Sequence, residues 1–142
     1  MRTYQRWFAV PTALVVALTV AGTAQGKPLS LAPGFKPDPQ VLTGTSGGTK
    51  SGDCGYVGEA PSQVIQVTQA VPYLRFAVQS EGQSTLVIDG PGGRFCSLAD
   101  TYSKKPAQIS GFWSPGTYSV YVGNRAAGQH AYQLSISQAP NP

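Results

Sequence analysis

Charge is scarce in this chain. Asp, Glu, Lys and Arg make up 11% of 142 residues, less than half the roughly 25% usual for soluble domains. Reactive side chains are scarcer still: there is one His, and there are two Cys. That inventory leaves no four-ligand zinc site of His and Cys. The acids past the N-terminal segment are Asp38, Asp53, Glu59, Glu81, Asp89 and Asp100, none adjacent to another and none in an EF-hand loop. Glycosidase chemistry needs two carboxylates facing one bond, and this spacing disfavours it. The length excludes a two-barrel protease or a nucleotide-binding fold with a separate substrate domain. No apolar stripe of helical period follows the first 26 residues, and there is no internal repeat. What the chain does have is 17 Gly and 12 Pro, about a fifth of its length, beside a 41% apolar content. Many turns around a real core are expected, and wholesale disorder is not.

The N-terminus joins a basic head (Arg2, Arg6) to an apolar run from Trp7 to Ala21 and then to Gly22-Thr-Ala-Gln-Gly26. These are the three parts of a secretory signal peptide, assigned to residues 1–24 with cleavage after Ala24 or Gly26. A spanning helix wants about 20 apolar residues; this run is shorter and Pro11 interrupts it, so no stable membrane span is expected after cleavage. No Cys near the cleavage region supports a lipid anchor. Loss of Arg2 and Arg6 leaves eight basic against six acidic residues, a net charge of +2. Lys104-Lys105 is then the only adjacent basic pair, short of the concentrated footprint that nucleic-acid binding requires. The expected location is secreted or periplasmic. In such an oxidising setting Cys54 and Cys96 are expected to form one disulfide, closing a loop of about 43 residues and stabilising the fold by roughly 4 kcal/mol.

Residues 25–52 hold six Gly, four Pro and six Ser or Thr and read as an extended Pro/Gly-rich arm; Leu29, Leu31, Phe35, Val41 and Leu42 argue that part of it packs. From Ser62 the apolar period is two. Val64–Gln69, Tyr73–Val78, Thr85–Ile88, Arg94–Cys96, Gln108–Trp113, Thr117–Val122 and Tyr132–Ile136 are the predicted strands, parted by turns such as Asp89-Gly-Pro-Gly-Gly93 and Ser114-Pro-Gly116. Seven to eight short strands at about ten-residue intervals predict an all-β antiparallel sandwich over residues 53–138, with polar alternation leaving one face of each sheet in water.

Leu74-Arg-Phe, Ser84-Thr-Leu-Val-Ile-Asp-Gly-Pro-Gly-Gly, Cys96, Ile109-Ser-Gly, Pro115-Gly-Thr-Tyr-Ser-Val-Tyr-Val-Gly123 and Tyr132-Gln-Leu-Ser-Ile136 occur in that order. Together with Leu31–Pro39 and Gly44–Gly48 upstream, this arrangement resembles the bacterial pre-peptidase C-terminal β-sandwich, in its small exported stand-alone form as in cyanobacteria. The resemblance implies a jelly-roll-like sandwich that is not itself catalytic. Some related domains bind Ca²⁺ or fibrous substrates. Many carry an acidic cluster after the second Cys, where this chain has Ser97-Leu-Ala-Asp100 with one acid.

Gly44-Thr-Ser-Gly-Gly48 invites comparison with a serine-protease motif, but the one imidazole, His130, follows the serine, and the chain is too short for that fold. Ser46 is therefore expected in a flexible turn and His130 in a solvated hairpin loop. Asp89-Gly-Pro-Gly-Gly93 lacks the helix N-terminus of a phosphate cradle, so Asp89 is expected to cap a turn. Asp89 and Asp100, flanking Cys96, are the candidate Ca²⁺ ligands, although Ca²⁺ takes six to eight oxygens. Aromatics are the better candidates for a binding surface: Tyr73 and Tyr121 opposite the apolar faces of their strands, Tyr102 in a loop, and Trp113, where Phe112 and Trp113 point opposite ways and one is exposed. The expected role is that of an exported, non-catalytic module that engages polysaccharide or an extracytoplasmic protein through aromatics and amides. The alternative is a Ca²⁺-stabilised accessory domain for maturation or targeting of a separate secreted enzyme.

Overall fold

The computed structural model describes residues 27–140, so the expected signal peptide and its expected cleavage site lie outside the described residues. In chain order the strands are β1 (Leu29–Leu31), β2 (Gln40–Ser46), β3 (Lys50–Gly52), β4 (Gly55–Val57), β5 (Gln63–Val67), β6 (Val71–Ser80), β7 (Ser84–Gly90), β8 (Gly93–Leu98), β9 (Ala107–Trp113), β10 (Gly116–Asn124) and β11 (His130–Ser137). Two sheets form from them. The larger runs β1-β5-β10-β7-β8, with the β3–β4 hairpin joined to β10 beyond the end of β5, and the smaller runs β2-β11-β6-β9. Every pairing is antiparallel except β1 with β5, which places Leu29 opposite Ile65 and Leu31 opposite Val67.

The period of two explains the core. Leu74, Phe76 and Val78 on β6 and Tyr132, Leu134 and Ile136 on β11 are buried against Leu86 and Ile88 of β7 and Tyr118, Val120 and Val122 of β10. Successive side chains of a strand leave on opposite faces, so each alternating run supplies one half of a two-layer core. Three aromatics bridge the layers. The Trp113 ring lies 4.7 Å from Phe76 and 4.9 Å, edge-on, from Tyr118, contacts that add about 0.5–1.5 kcal/mol each beyond burial. Gly90 makes room for this stack, since a Cβ there would stand 2.2 Å from the Tyr118 ring.

The sandwich has more strands than the periodicity predicts, and the extra ones come mainly from the segment read as an arm. Leu31 is buried in the core, and β2 pairs with β11 from Gln40 opposite Ile136 to Ser46 opposite His130. The composition of residues 25–52 averages over strands and turns, because Pro33, Gly34, Pro37 and Pro39 all fall between β1 and β2. The expected boundary at residue 52 falls inside the β3–β4 hairpin. Cys54, at the tip of that hairpin, is bonded to Cys96 of β8, with Cα atoms 6.0 Å apart.

Ser46 also departs from its expected flexible turn. It is fully buried, with its Oγ 3.1 Å from Asn124 Oδ1 and 3.0 Å from the His130 carbonyl, while Asn124 Nδ2 donates to the Gly128 carbonyl at 2.9 Å. Gly47 follows at φ +92°, and a Cβ on it would come 2.2 Å from the Gly128 carbonyl oxygen. The Gly-Thr-Ser-Gly-Gly run is thus a polar clasp holding the end of β2 to the β10–β11 loop. The Ser46 hydroxyl meets the backbone of His130 and not its imidazole, so no nucleophile–base pair exists there.

Candidate functional site

The four candidate aromatics do not share a surface. Trp113 is only 5% exposed, and its Nε1 donates to the Leu74 carbonyl at 3.2 Å. This corrects its expected place at the surface. On β9 the inward parity belongs to Ala107 and Trp113, and the outward parity to Gln108, Ser110 and Phe112, which is 67% exposed. Tyr102 is 99% exposed in the β8–β9 loop. Tyr121 lies on the outer face of the larger sheet, packed against the cluster of Cys54, Val57 and Val87. Tyr73 is half-buried on the outer face of the smaller sheet, on the same side of β6 as Arg75.

The two candidate Ca²⁺ ligands are far apart. Asp89 pairs with Arg94 beside the β7–β8 turn, whereas Asp100 follows Leu98, which pairs with Thr85 near the other end of β7. Four residues of strand at about 3.4 Å each, or roughly 14 Å, separate those two pairs, with Asp100 a further two residues beyond, so no single ion is held by both. Asp100 is instead engaged by its own loop: Oδ1 accepts from the Tyr102 and Ser103 backbone N–H groups at 2.9 and 3.4 Å, and Oδ2 accepts from the Ser103 hydroxyl at 2.6 Å. These bonds, the Ser103 hydroxyl foremost, lower its pKa below the usual carboxylate value. His130 opens β11, half-buried, with Nε2 near Gly82.

The outer face of β2-β11-β6-β9 carries residues that the predicted set omitted. Register builds it row by row. Val41, Ser135, Ala77 and Gln108 form one row across all four strands. Thr43, Gln133 and Gln79 form the row on one side, and Ser137, Arg75 and Ser110 the row on the other. The middle row is short in the two central strands, Ser135 and Ala77, and is walled by Gln79 and Gln133 on one side and Arg75 on the other. The result is a trough of about 360 Å³. Beyond it, a register shift in β6 between Val71 and Leu74 sets Phe112 across from Pro72 and Tyr73, so two aromatics stand at one end of an amide- and hydroxyl-covered sheet. Gln at alternate outward positions of β6, β9 and β11 was the signal available in the sequence; the cross-strand register that unites them was not.

Other hollows lie elsewhere on the surface, one of them, about 260 Å³, beside Asp100, Lys104 and Lys105. A cleft of about 340 Å³ over the larger sheet is lined by Lys50, Asp53, Glu59, Asp89, Arg94 and Tyr121, among others. Its charges are of both signs, and Asp89 stands opposite Arg94 in register, so the cleft presents no charge of one sign to a ligand. A third, about 290 Å³, opens between the edges of β8 and β9 beside Phe95, Ile109 and Phe112. Among the described residues no group of three His, Cys, Asp or Glu could hold a metal ion, and no helix is long and apolar enough to cross a membrane.

Over 138 residues the chain is 35% identical to an uncharacterized protein of Synechococcus elongatus, an overlap of 94% of this chain and 97% of that protein. The chain belongs to that protein's family. No family model matches it. Among solved structures, the pre-peptidase C-terminal domain of collagenase from Bacillus anthracis superposes with a TM-score of 0.51 at 18% identity, covering 78% of this chain and 95% of that domain. The chain thus has the fold of a pre-peptidase C-terminal domain, as the motif order implied. A weaker likeness, TM-score 0.44 at 17% identity over 78% of this chain and 96% of the other, is to PliG of Aeromonas hydrophila, a periplasmic inhibitor of g-type lysozyme.

Proposed function

We propose that this protein is an exported, non-catalytic binding module that carries a polysaccharide strand on the outer face of its four-stranded sheet. The observation that carries the reading is the trough across β2, β11, β6 and β9, floored by Ser135 and Ala77 and walled by the amides of Gln79 and Gln133. Amides and hydroxyls both donate and accept hydrogen bonds, which matches the alternating donor and acceptor character of sugar hydroxyls. Tyr73 and Phe112 at the end of the trough offer apolar ring faces of the kind that anchor a ligand. Such a platform is rigid, because every trough residue on β6, β9 and β11 alternates with a core side chain. Export is supported by the Cys54–Cys96 bond and by the form of the N-terminal segment.

The test is co-sedimentation of the purified protein with a panel of insoluble and soluble polysaccharides. Binding to at least one, weakened by Gln108→Ala, Gln133→Ala and Phe112→Ala with melting temperature preserved, is the expected result. No binding across the panel, or binding indifferent to all three variants, refutes the reading. So would capture of a protein partner that depends on Phe95 rather than on the trough.

A further inference from the structure

We infer that the polysaccharide seated in this trough is an acidic one, with a carboxylate of the chain paired to Arg75. The inference rests on the platform reading above and adds the chemical class of the ligand. Arg75 is the one formal charge among the residues lining the trough. Its neighbours there are the apolar Val41, Ala77 and Pro106 and the polar Gln79, Gln108, Gln133 and Ser135. None of them is an acid that could neutralise it.

The guanidinium is also partly stripped of water without compensation. Arg75 Nε is buried and has no hydrogen-bond partner. Buried donors in folded proteins are nearly always satisfied, and here the sheet supplies Nε with no acceptor of its own. Asp38, in the loop before β2, bonds to Ser137, the residue that pairs with Arg75. Asp38 is occupied elsewhere: Oδ1 accepts from the Ser137 hydroxyl at 2.7 Å, and Oδ2 accepts from Gln138 N and Nε2 at 3.2 and 3.4 Å. These bonds tie Asp38 to the end of the adjacent strand.

A carboxylate meets this need better than a neutral hydroxyl. The planar fork of guanidinium N–H groups pairs with both oxygens of a carboxylate at once. In a trough whose lining includes apolar Val41 and Ala77, the pair would be screened less than one fully in water. The surrounding amides can hold the sugar hydroxyls on either side of the charged group. An acidic strand in this trough would thus have its carboxylate fixed by one cation and its rings by neutral groups, so that a single position along the chain is read by charge.

Isothermal titration with oligogalacturonate, a uronate oligomer, and with a neutral gluco-oligosaccharide of the same length tests the inference. The expected result is tighter binding of the uronate oligomer, weakened by added salt, and lowered about tenfold or more by Arg75→Gln but less by Arg75→Lys. Lys50→Gln, on the other sheet, removes the same charge and is expected to leave binding unchanged. Circular dichroism melts of each variant show that the fold is intact. Equal binding of both oligomers with no effect of Arg75→Gln overturns the acidic-ligand inference while leaving the platform reading in place. Equal weakening by Lys50→Gln also overturns it, because general charge attraction then accounts for the affinity. Failure of either oligomer to bind, together with a panel of polysaccharides that all fail, removes the platform itself.

Discussion

Reduction of Cys54–Cys96 offers the sharpest test of how the sandwich is held. The bond spans 42 residues of sequence, which include β4 to β7 and most of β8. In the chain-entropy model, closing such a loop removes on the order of 13 cal/mol/K from the unfolded chain, or about 4 kcal/mol at 25 °C. At this size one kcal/mol moves the melting temperature by about 4 °C, so the expected drop is on the order of 15 °C. The fold adds a prediction of where the loss is felt first. In the backbone ladder the β3–β4 hairpin joins the rest of its sheet at a single residue pair, Asn124 with Tyr56, and beyond the disulfide it is held by the packing of Cys54 and Val57 on Val87 and Tyr121. Its amides should therefore lose hydrogen-exchange protection before those of β6 and β11, which pair along six positions. The assay is urea unfolding of the native protein with and without a phosphine reductant, paired with exchange of both forms by mass spectrometry. Reduction keeps both sulfurs in place, which separates the cross-link from the packing of Cys54. A loss below about 1 kcal/mol, or uniform loss of protection across both sheets, would refute the reasoning.

Three other outcomes follow from individual side chains. Thr85 is fully buried and its Oγ1 has no hydrogen-bond partner, so Thr85→Val should raise stability by about 1 kcal/mol in urea unfolding; a loss would show the hydroxyl to be satisfied. Trp113→Ala should cost about 3–5 kcal/mol through the cavity it leaves, while Phe112→Ala should stay within about 0.5 kcal/mol by the same assay; the opposite order would invert the assigned faces of β9. Asp100 has its pKa lowered on folding, chiefly by the Ser103 hydroxyl and then by the Tyr102 and Ser103 backbone N–H groups. The order it lends the β8–β9 loop is therefore complete above the usual carboxylate pKa and is lost as pH falls through the lowered value. The amide resonances of Tyr102 and Ser103 should shift in that acidic window, and Asp100→Asn should abolish the shift.

Much of this molecule is legible from residue order alone, and the reason is that a strand's signal is local. Alternation at Leu74-Arg-Phe-Ala-Val78 and Tyr132-Gln-Leu-Ser-Ile136 needs no partner to be read, so the predicted strands and the two-layer class agree with the structure. The Cys54–Cys96 pairing is legible for a simpler reason, since only one pairing of two cysteines exists. Composition misled over residues 25–52 because it blends the Pro-bearing turn before β2 with the strands on either side.

What alternation says of Phe112 and Trp113 is that they point opposite ways; which one enters the core depends on where the second sheet lies, and the Phe76 and Tyr118 rings decide it. Likewise Arg75, Gln108, Gln133 and Val41 come from four separate strands and become neighbours only through the β2-β11-β6-β9 register. Local backbone geometry determines the parity of each strand. The choice of inward face, and the company each outward residue keeps, belong to long-range packing, and the candidate site is made of nothing else.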